Sequence, residues 1–323
     1  MLNRRQALVP LVQGALPWVA PGGALARAVN PPPPELVKPK RKLTPVEAFR
    51  PVHGFDRHDP SNIIRQDGRY WVFYTRNAGD HRDVTIHHAD SADGLNWRDL
   101  GLALGRGEPG QWDESGTIAP CIVPHAGRFL LFYTGFSGGD LATRDIGIAV
   151  AGHPSGPWRR HAANPVLRRD PDPAVWDSGM LGDANVLLRG GRWWLYFKGR
   201  RAGEGNLQTR VGVASADSPL GPFRRHPANP LFPGHAFSAW VHRDGVAALC
   251  GVVSRKVLWS EDGIAFTAVG ELENTSTGLY APGNFTGRAN NEGLAWGLEQ
   301  YAEGATRGLG RIDVDMRVPP GGP

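Results

Sequence analysis

Two aspartates occupy matching places in a sequence that repeats itself. Asp59-Pro60-Ser61-Asn62-Ile63-Ile64-Arg65 aligns with Asp183-Ala184-Asn185-Val186-Leu187-Leu188-Arg189, and each run leads into a Gly-Arg turn. Asp is a common turn residue before a strand, but one bland turn need not recur at the same repeat position. On a fourth repeat the matching place is Ala236, directly after His235; on the second it falls near Ile118, a few residues after Trp112-Asp113-Glu114. Such a set suits acid–base hydrolysis of a glycosidic bond, in which one group activates water and another protonates the departing oxygen. The inverting form of that chemistry separates the two by roughly 6.5–9.5 Å to admit the water, and a third carboxylate can tune the acid. Asp59, Asp183 and His235 are therefore the candidate catalytic residues, with Glu114 as a competing proton donor.

These residues need a scaffold that brings distant segments together, and the repeat supplies one. Ser61 to Ile64, Gly68-Arg69-Tyr70-Trp71-Val72-Phe73-Tyr74-Thr75, Val84 to Ala89 and a turn ending at Trp97 form the first copy. Cys121-Ile122-Val123 with Gly127 to Thr134 and Ile146 to Val150 form the second; Asn185 to Leu188 with Gly191 to Lys198 and Val211 to Ala214 form the third. Fainter copies follow at Trp240 to Phe266 and at Tyr280 to Asp315. A period of roughly 50–60 residues with three or four short strands per unit predicts an all-β, five-bladed β-propeller. The first strand of each blade then begins beside a narrow central channel, where Asp59 and Asp183 should converge.

Composition agrees with a single large β domain. The chain has 323 residues, and its eleven Trp and twelve Phe suit strands and flat sugar-stacking surfaces. Trp112, Trp176 and Trp240, with Asp113 and Glu114, are read as substrate contacts. Residues 1–28 read as a twin-arginine-like export signal: Arg4-Arg5, a mostly apolar stretch to Ala20, and small-residue cleavage sites near Ala26. A periplasmic or secreted location follows as an expectation. Residues 29–45 read as a Pro-rich linker or N-terminal extension, and 46–323 as the propeller. The leader carries three Arg and no acid, so the formal charge of +5 becomes +2 without it. No basic run suggests nucleic-acid binding, and no later apolar stretch of about 20 residues would span a membrane. Cys121 and Cys250 fall on different blades, which argues against a disulfide. No spacing of His, Cys or acidic residues suits zinc or calcium, so no cofactor is expected, and a cation in the channel is left open. The oligomeric state is left open.

The chain resembles the five-bladed glycosidases of the arabinanase-like superfamily, and most closely glycoside hydrolase family 117. The carriers are Asp59 to Ile64, Gly101-Leu102-Ala103-Leu104-Gly105-Arg106-Gly107-Glu108, Ala214-Ser215-Ala216-Asp217-Ser218-Pro219 and Gly234-His235. The resemblance covers most of the chain from about His58. It implies an inverting exo-enzyme that releases terminal 3,6-anhydro-L-galactose from α-1,3-linked neoagaro-oligosaccharides. It further implies Asp59 as general base, Asp183 as the carboxylate tuning the acid, and His235 as that acid, with a pKa raised by the neighbouring carboxylates. Two departures fall in the site. The family reads Gly-His-Glu where this chain has Gly234-His235-Ala236, and His-Asp-Pro where it has Gly182-Asp183-Ala184. They leave room for a related furanoside or galactoside as substrate. They also leave a carbohydrate-binding propeller without catalysis, or a glycoside phosphorylase whose phosphate would meet Arg200, Arg201 and Arg210.

Overall fold

A computed structural model describes residues 31–37, 42–78, 82–138, 143–271, 278–283 and 293–319. The segment read as an export signal lies outside them. Almost every regular element is a β-strand, and the strands form five successive antiparallel blades.

Blade one comprises Phe55–His58 and Ile64–Gln66, Arg69–Ala78, Arg82–Ser91 and Trp97–Leu104. Blade two comprises Gly116–His125, Arg128–Ser137, Thr143–Ala151 and Arg159–Arg160; blade three, Met180–Arg189, Arg192–Arg200, Arg210–Ala216 and Arg224–Arg225. Blade four runs Phe237–His242, Gly245–Cys250, Lys256–Ser260 and Thr267–Glu271. A single parallel bridge, Val84 to Gly116, joins blades one and two.

The fifth blade takes strands from both ends of the chain. Gly278–Tyr280, Trp296–Glu303 and Thr306–Asp313 come from the C-terminal part, and Lys42–Pro45, within the Pro-rich extension, pairs along Thr306–Asp313 as the outer strand. The ring is thereby closed by hydrogen bonds between chain ends, which leaves no terminal blade unpaired. Just before that strand, the 3-10 turn Pro34–Val37 buries Leu36 against Trp240, Val257 and Met316, while Glu35 pairs with His242 and Arg243 at 2.8 and 2.7 Å.

Alternation along each strand supplies the core between blades. Phe132, Ile148, Leu195 and Phe197 fill the space between blades two and three, and Tyr196, Val213, Val241 and Val246 that between three and four. Polar side chains fix neighbouring first strands to one another. The Asn62 side chain exchanges two hydrogen bonds with the backbone of Ile122 on blade two, at 2.8 and 2.9 Å. Asn185 does the same towards blade four, donating to Phe237 O and accepting from Ala239 N. Asn62 and Asn185 are thus structural equivalents, although the sequence alignment had placed Ser61 opposite Asn185. Blade one carries one extra residue after its aspartate, so the correspondence slips by one beyond Asp59.

Candidate active site

Where the first strands of blades one, two and three begin, the chain turns sharply. Asp59, Ala119 and Asp183 all adopt the left-handed region, with φ of 47°, 49° and 53°. The residues just before them, His58, Ile118 and Gly182, lie opposite Thr75, Thr134 and Lys198 on the adjacent strand of their own blades. A left-handed conformation costs about 1 kcal/mol or more in a non-glycine residue, and here the neighbours hold it. Ala119 N donates to Thr75 Oγ1 at 2.9 Å, Asp183 N to Thr134 Oγ1 at 3.0 Å, and Asp59 N to Gln300 Oε1 at 3.3 Å. Each blade's wall therefore positions the next blade's turn.

The turns open onto one cavity, lined by Asp59, Asn62, Ala119, Cys121, Asp183 and Phe237 among others. The two aspartates expected to converge do so. Their repeat positions match, but their partners differ. His58 Nδ1 lies 2.7 Å from Asp59 Oδ2, and His58 Nε2 lies 3.2 Å from the Asn77 amide. Burial alone would push the Asp59 carboxyl up, yet the charge and hydrogen bond of His58, with Lys198 and Arg307 behind it, hold it well below the usual range. Asp183 instead meets the Lys198 ammonium at 2.6 Å.

His235, on the loop before blade four, is not among the residues that line the cavity, but it lies close enough to feel the charges of Lys198, Asp183 and Asp59. Its Nδ1 lies 3.1 Å from both Thr209 Oγ1 and Asn206 O. Thr209 spends its own proton on Asn206 O at 2.9 Å, and a carbonyl can only accept, so Nδ1 carries the imidazole proton. The titrating atom is therefore Nε2. The ring's pKa is lowered to about 4, first by burial and then by Lys198; Asp183 and Asp59 pull the other way and lose. This corrects the expectation that the carboxylates would raise it, because burial, the larger cause, and then the lysine outweigh them.

The remaining expected contacts are placed elsewhere. Trp240 is 1% exposed inside the core and presents no face to a ligand. Trp112 stacks on Tyr133 at 5.5 Å and Trp176 on Phe197 at 5.6 Å, each lying over a pair of glycines. A Cβ on Gly147 would come within 2.6 Å of Trp112, and one on Gly199 within 2.7 Å of Trp176. Asp113 is fully buried, bonded by Arg160 Nε at 2.8 Å and Tyr133 Oη at 2.9 Å. Its counterpart Asp177 is equally buried and bonded by Arg225 Nε at 2.8 Å. Trp112-Asp113 and Trp176-Asp177 are one repeated structural clamp, each with its arginine from the blade's outer strand, and none of the four lines the cavity. Glu114 accepts a hydrogen bond from Gly110 N at 2.6 Å and is absent from the cavity lining, so the structure does not bring it to the two aspartates.

Two residues of the site had gone unnoticed. Lys198 stands where the first two repeats have threonine, and that break in the pattern was legible. His58 immediately precedes Asp59 but sits in no motif of its own. Cys121 and Cys250 are both buried and unpaired, and burial pushes the Cys121 thiol up to about 12, so it is an inert lining group.

The five-bladed fold is one that known glycoside hydrolases share, as comparison with known proteins shows. The family model of glycosyl hydrolases family 43 matches residues 49–206. The fold of Zg3597, a family 117 glycoside hydrolase from the marine bacterium Zobellia galactanivorans, superposes with a TM-score of 0.79 at 25% identity, covering 87% of this chain and 92% of that one. An endo-arabinase from Bacteroides thetaiotaomicron VPI-5482 shares the fold at a TM-score of 0.54 and 16% identity, covering 84% of this chain and 97% of that one. By sequence, a sucrose:sucrose 1-fructosyltransferase of Festuca arundinacea is 35% identical over 35% of this chain and 18% of its own length. An insoluble β-fructofuranosidase isoenzyme 7 of Oryza sativa subsp. indica is 30% identical over 37% and 21%. The chain thus spans about a fifth of the length of the curated relatives it matches. Within the class it resembles family 117, as the motifs around Asp59 and His235 imply.

Proposed function

We propose that this protein is an exo-acting glycoside hydrolase that cleaves with inversion. One observation carries the reading: Asp59 and Asp183, from blades one and three, line a single cavity, and each has its own basic partner. Asp59, held ionised by His58, takes a proton from water as that water attacks the anomeric carbon. His235 supplies the proton to the leaving oxygen through Nε2 whenever the ring is charged. Asp183, paired with Lys198, steadies the imidazolium before it gives up its proton and the positive charge that then develops on the sugar. Exo-action is carried by the resemblance to family 117.

The substrate proposed first is a terminal 3,6-anhydro-L-galactose on an α-1,3-linked neoagaro-oligosaccharide, by resemblance to family 117. A related furanoside stands beside it because the sequence relatives are named for fructofuranosyl chemistry. A periplasmic or secreted site of action, after export through the twin-arginine-like leader, is part of the same proposal. The phosphorylase alternative loses support from Arg210, whose guanidinium is bonded twice to Glu204 at 3.0 Å, and from Arg200, bonded to Asn206.

The test is product release from neoagaro-oligosaccharides, arabinofuranosides, β-fructofuranosides and galactosides, with and without phosphate. Release of a single terminal sugar, lost in Asp59→Asn, supports the proposal. Binding of these sugars with no turnover of any would overturn it in favour of a carbohydrate-binding propeller. A strict requirement for phosphate would replace hydrolysis with phosphorolysis.

A further inference from the structure

The internal repeat of the propeller lets two blades serve as controls for a third. Thr75, Thr134 and Lys198 are equivalent, since each lies across the strand pair from the residue preceding a first-strand turn. On blades one and two the threonine hydroxyl accepts the backbone N–H of the next blade's left-handed residue. A lysine ammonium cannot accept at all, so blade three has abandoned that device. The residue that would have used it, Ala236, is not among those with positive φ.

What the lysine does instead is visible within its own blade. Thr75 Oγ1 approaches Asp59 Oδ2 at 3.5 Å, a long and neutral contact. The same geometry on blade three puts Lys198 Nζ 2.6 Å from Asp183 Oδ2, with Lys198 only 4% exposed. A buried ammonium is costly unless paired, and Asp183 supplies the opposite charge beside it. Blade one provides its charge differently: His58, in the place that Gly182 occupies on blade three, reaches Asp59. Two carboxylates that the repeat would make alike are thereby made unlike.

We propose that Lys198 is the positioning residue of this cavity: its ammonium anchors Asp183 and keeps it from serving as acid or base, which leaves Asp59 to handle the water. The inference rests on the glycosidase reading. The charge of Lys198 also acts on His235 in the same direction as burial, opposed by Asp183 of the same blade and Asp59 of blade one, while the Asn206 carbonyl approaches the ring from its loop. The lysine thus fixes where Asp183 points and adds to what keeps the His235 ring neutral. Asp59 in turn feels His58, Lys198 and Arg307.

The test substitutes Lys198 by Thr, the residue the repeat places there, by Met to keep volume, and by Arg to keep charge. Imidazole titration of His235 by NMR reads the arrangement without any substrate. Lys198→Thr and Lys198→Met should move its midpoint up, and Lys198→Arg should leave it near the wild-type value. On the released-sugar assay, the same two variants should shift the pH limb of kcat/KM upward in parallel. Their kcat at the new optimum should fall about tenfold or more, with KM little changed, because removing a preorganised charge typically costs 10²–10³ in kcat when it contacts the reacting atoms and less through an intermediary. An unmoved His235 midpoint in both folded variants overturns the role of Lys198. A moved midpoint without sugar release from the wild type would leave the lysine's role standing and sink the glycosidase reading.

Discussion

If His235 is the proton donor, its buried position makes the enzyme acid-loving in a way the structure quantifies. With a pKa of about 4, the ring is charged in roughly one molecule in a thousand at pH 7 and one in ten at pH 5. Asp59 is held below the usual carboxylate range, so it stays ionised throughout that window. The productive form, with His235 charged and Asp59 ionised, therefore grows about tenfold per pH unit, and kcat/KM should rise about a hundredfold from pH 7 to pH 5. The assay is initial-rate sugar release across pH 4–8 at fixed ionic strength. Changing His235 to Gln should abolish the slope and cost about 10²–10⁴ at pH 5, most severely on natural glycosides with poor leaving groups. A flat profile between pH 7 and pH 5, or a slope that survives in His235→Gln, would refute the assignment.

Other consequences are as direct. Asp59→Asn should lower kcat by about 10²–10⁴ while sugar binding, followed by calorimetry, persists, because shape is kept and only the base is lost. Acid should also weaken the fold. The buried His87 titrates near 4, lowered by burial and by Arg76, so an unfolded chain takes up protons below about 6.5 that the folded one refuses; unfolding midpoints in urea should fall as pH drops from 6.5 towards 4. Asp113→Asn should lower the melting temperature by breaking the bond to Arg160 but leave KM unchanged, and a raised KM would restore Asp113 to sugar binding. Glu35→Ala strips the buried His242 and the half-buried Arg243 of their shared carboxylate and should destabilise by about 3 kcal/mol, with kcat unchanged.

Much of this molecule was determined by its sequence alone. Apolar alternation, Gly-Arg turns and the spacing of the copies specify five blades, because each short unit has an apolar face that only a neighbour can bury. The recurrence of Asp59 and Asp183 before their strands located the two carboxylates of the cavity, since equivalent repeat positions become neighbours around an axis. What tertiary structure alone decided was the environment of each side chain. Trp112-Asp113 and Trp240 look like sugar contacts as residue types, yet burial turns the first pair into a clamp and the last into core. The N-terminal strand Lys42–Pro45 gave no strong local pattern, because its hydrogen-bonding partner lies over 260 residues away at Thr306–Asp313. His235 was recognisable as a candidate, but its charge state was not. That depends first on burial and then on an ammonium 37 residues earlier in the chain, both set only when the segment before blade four folds back along blade three.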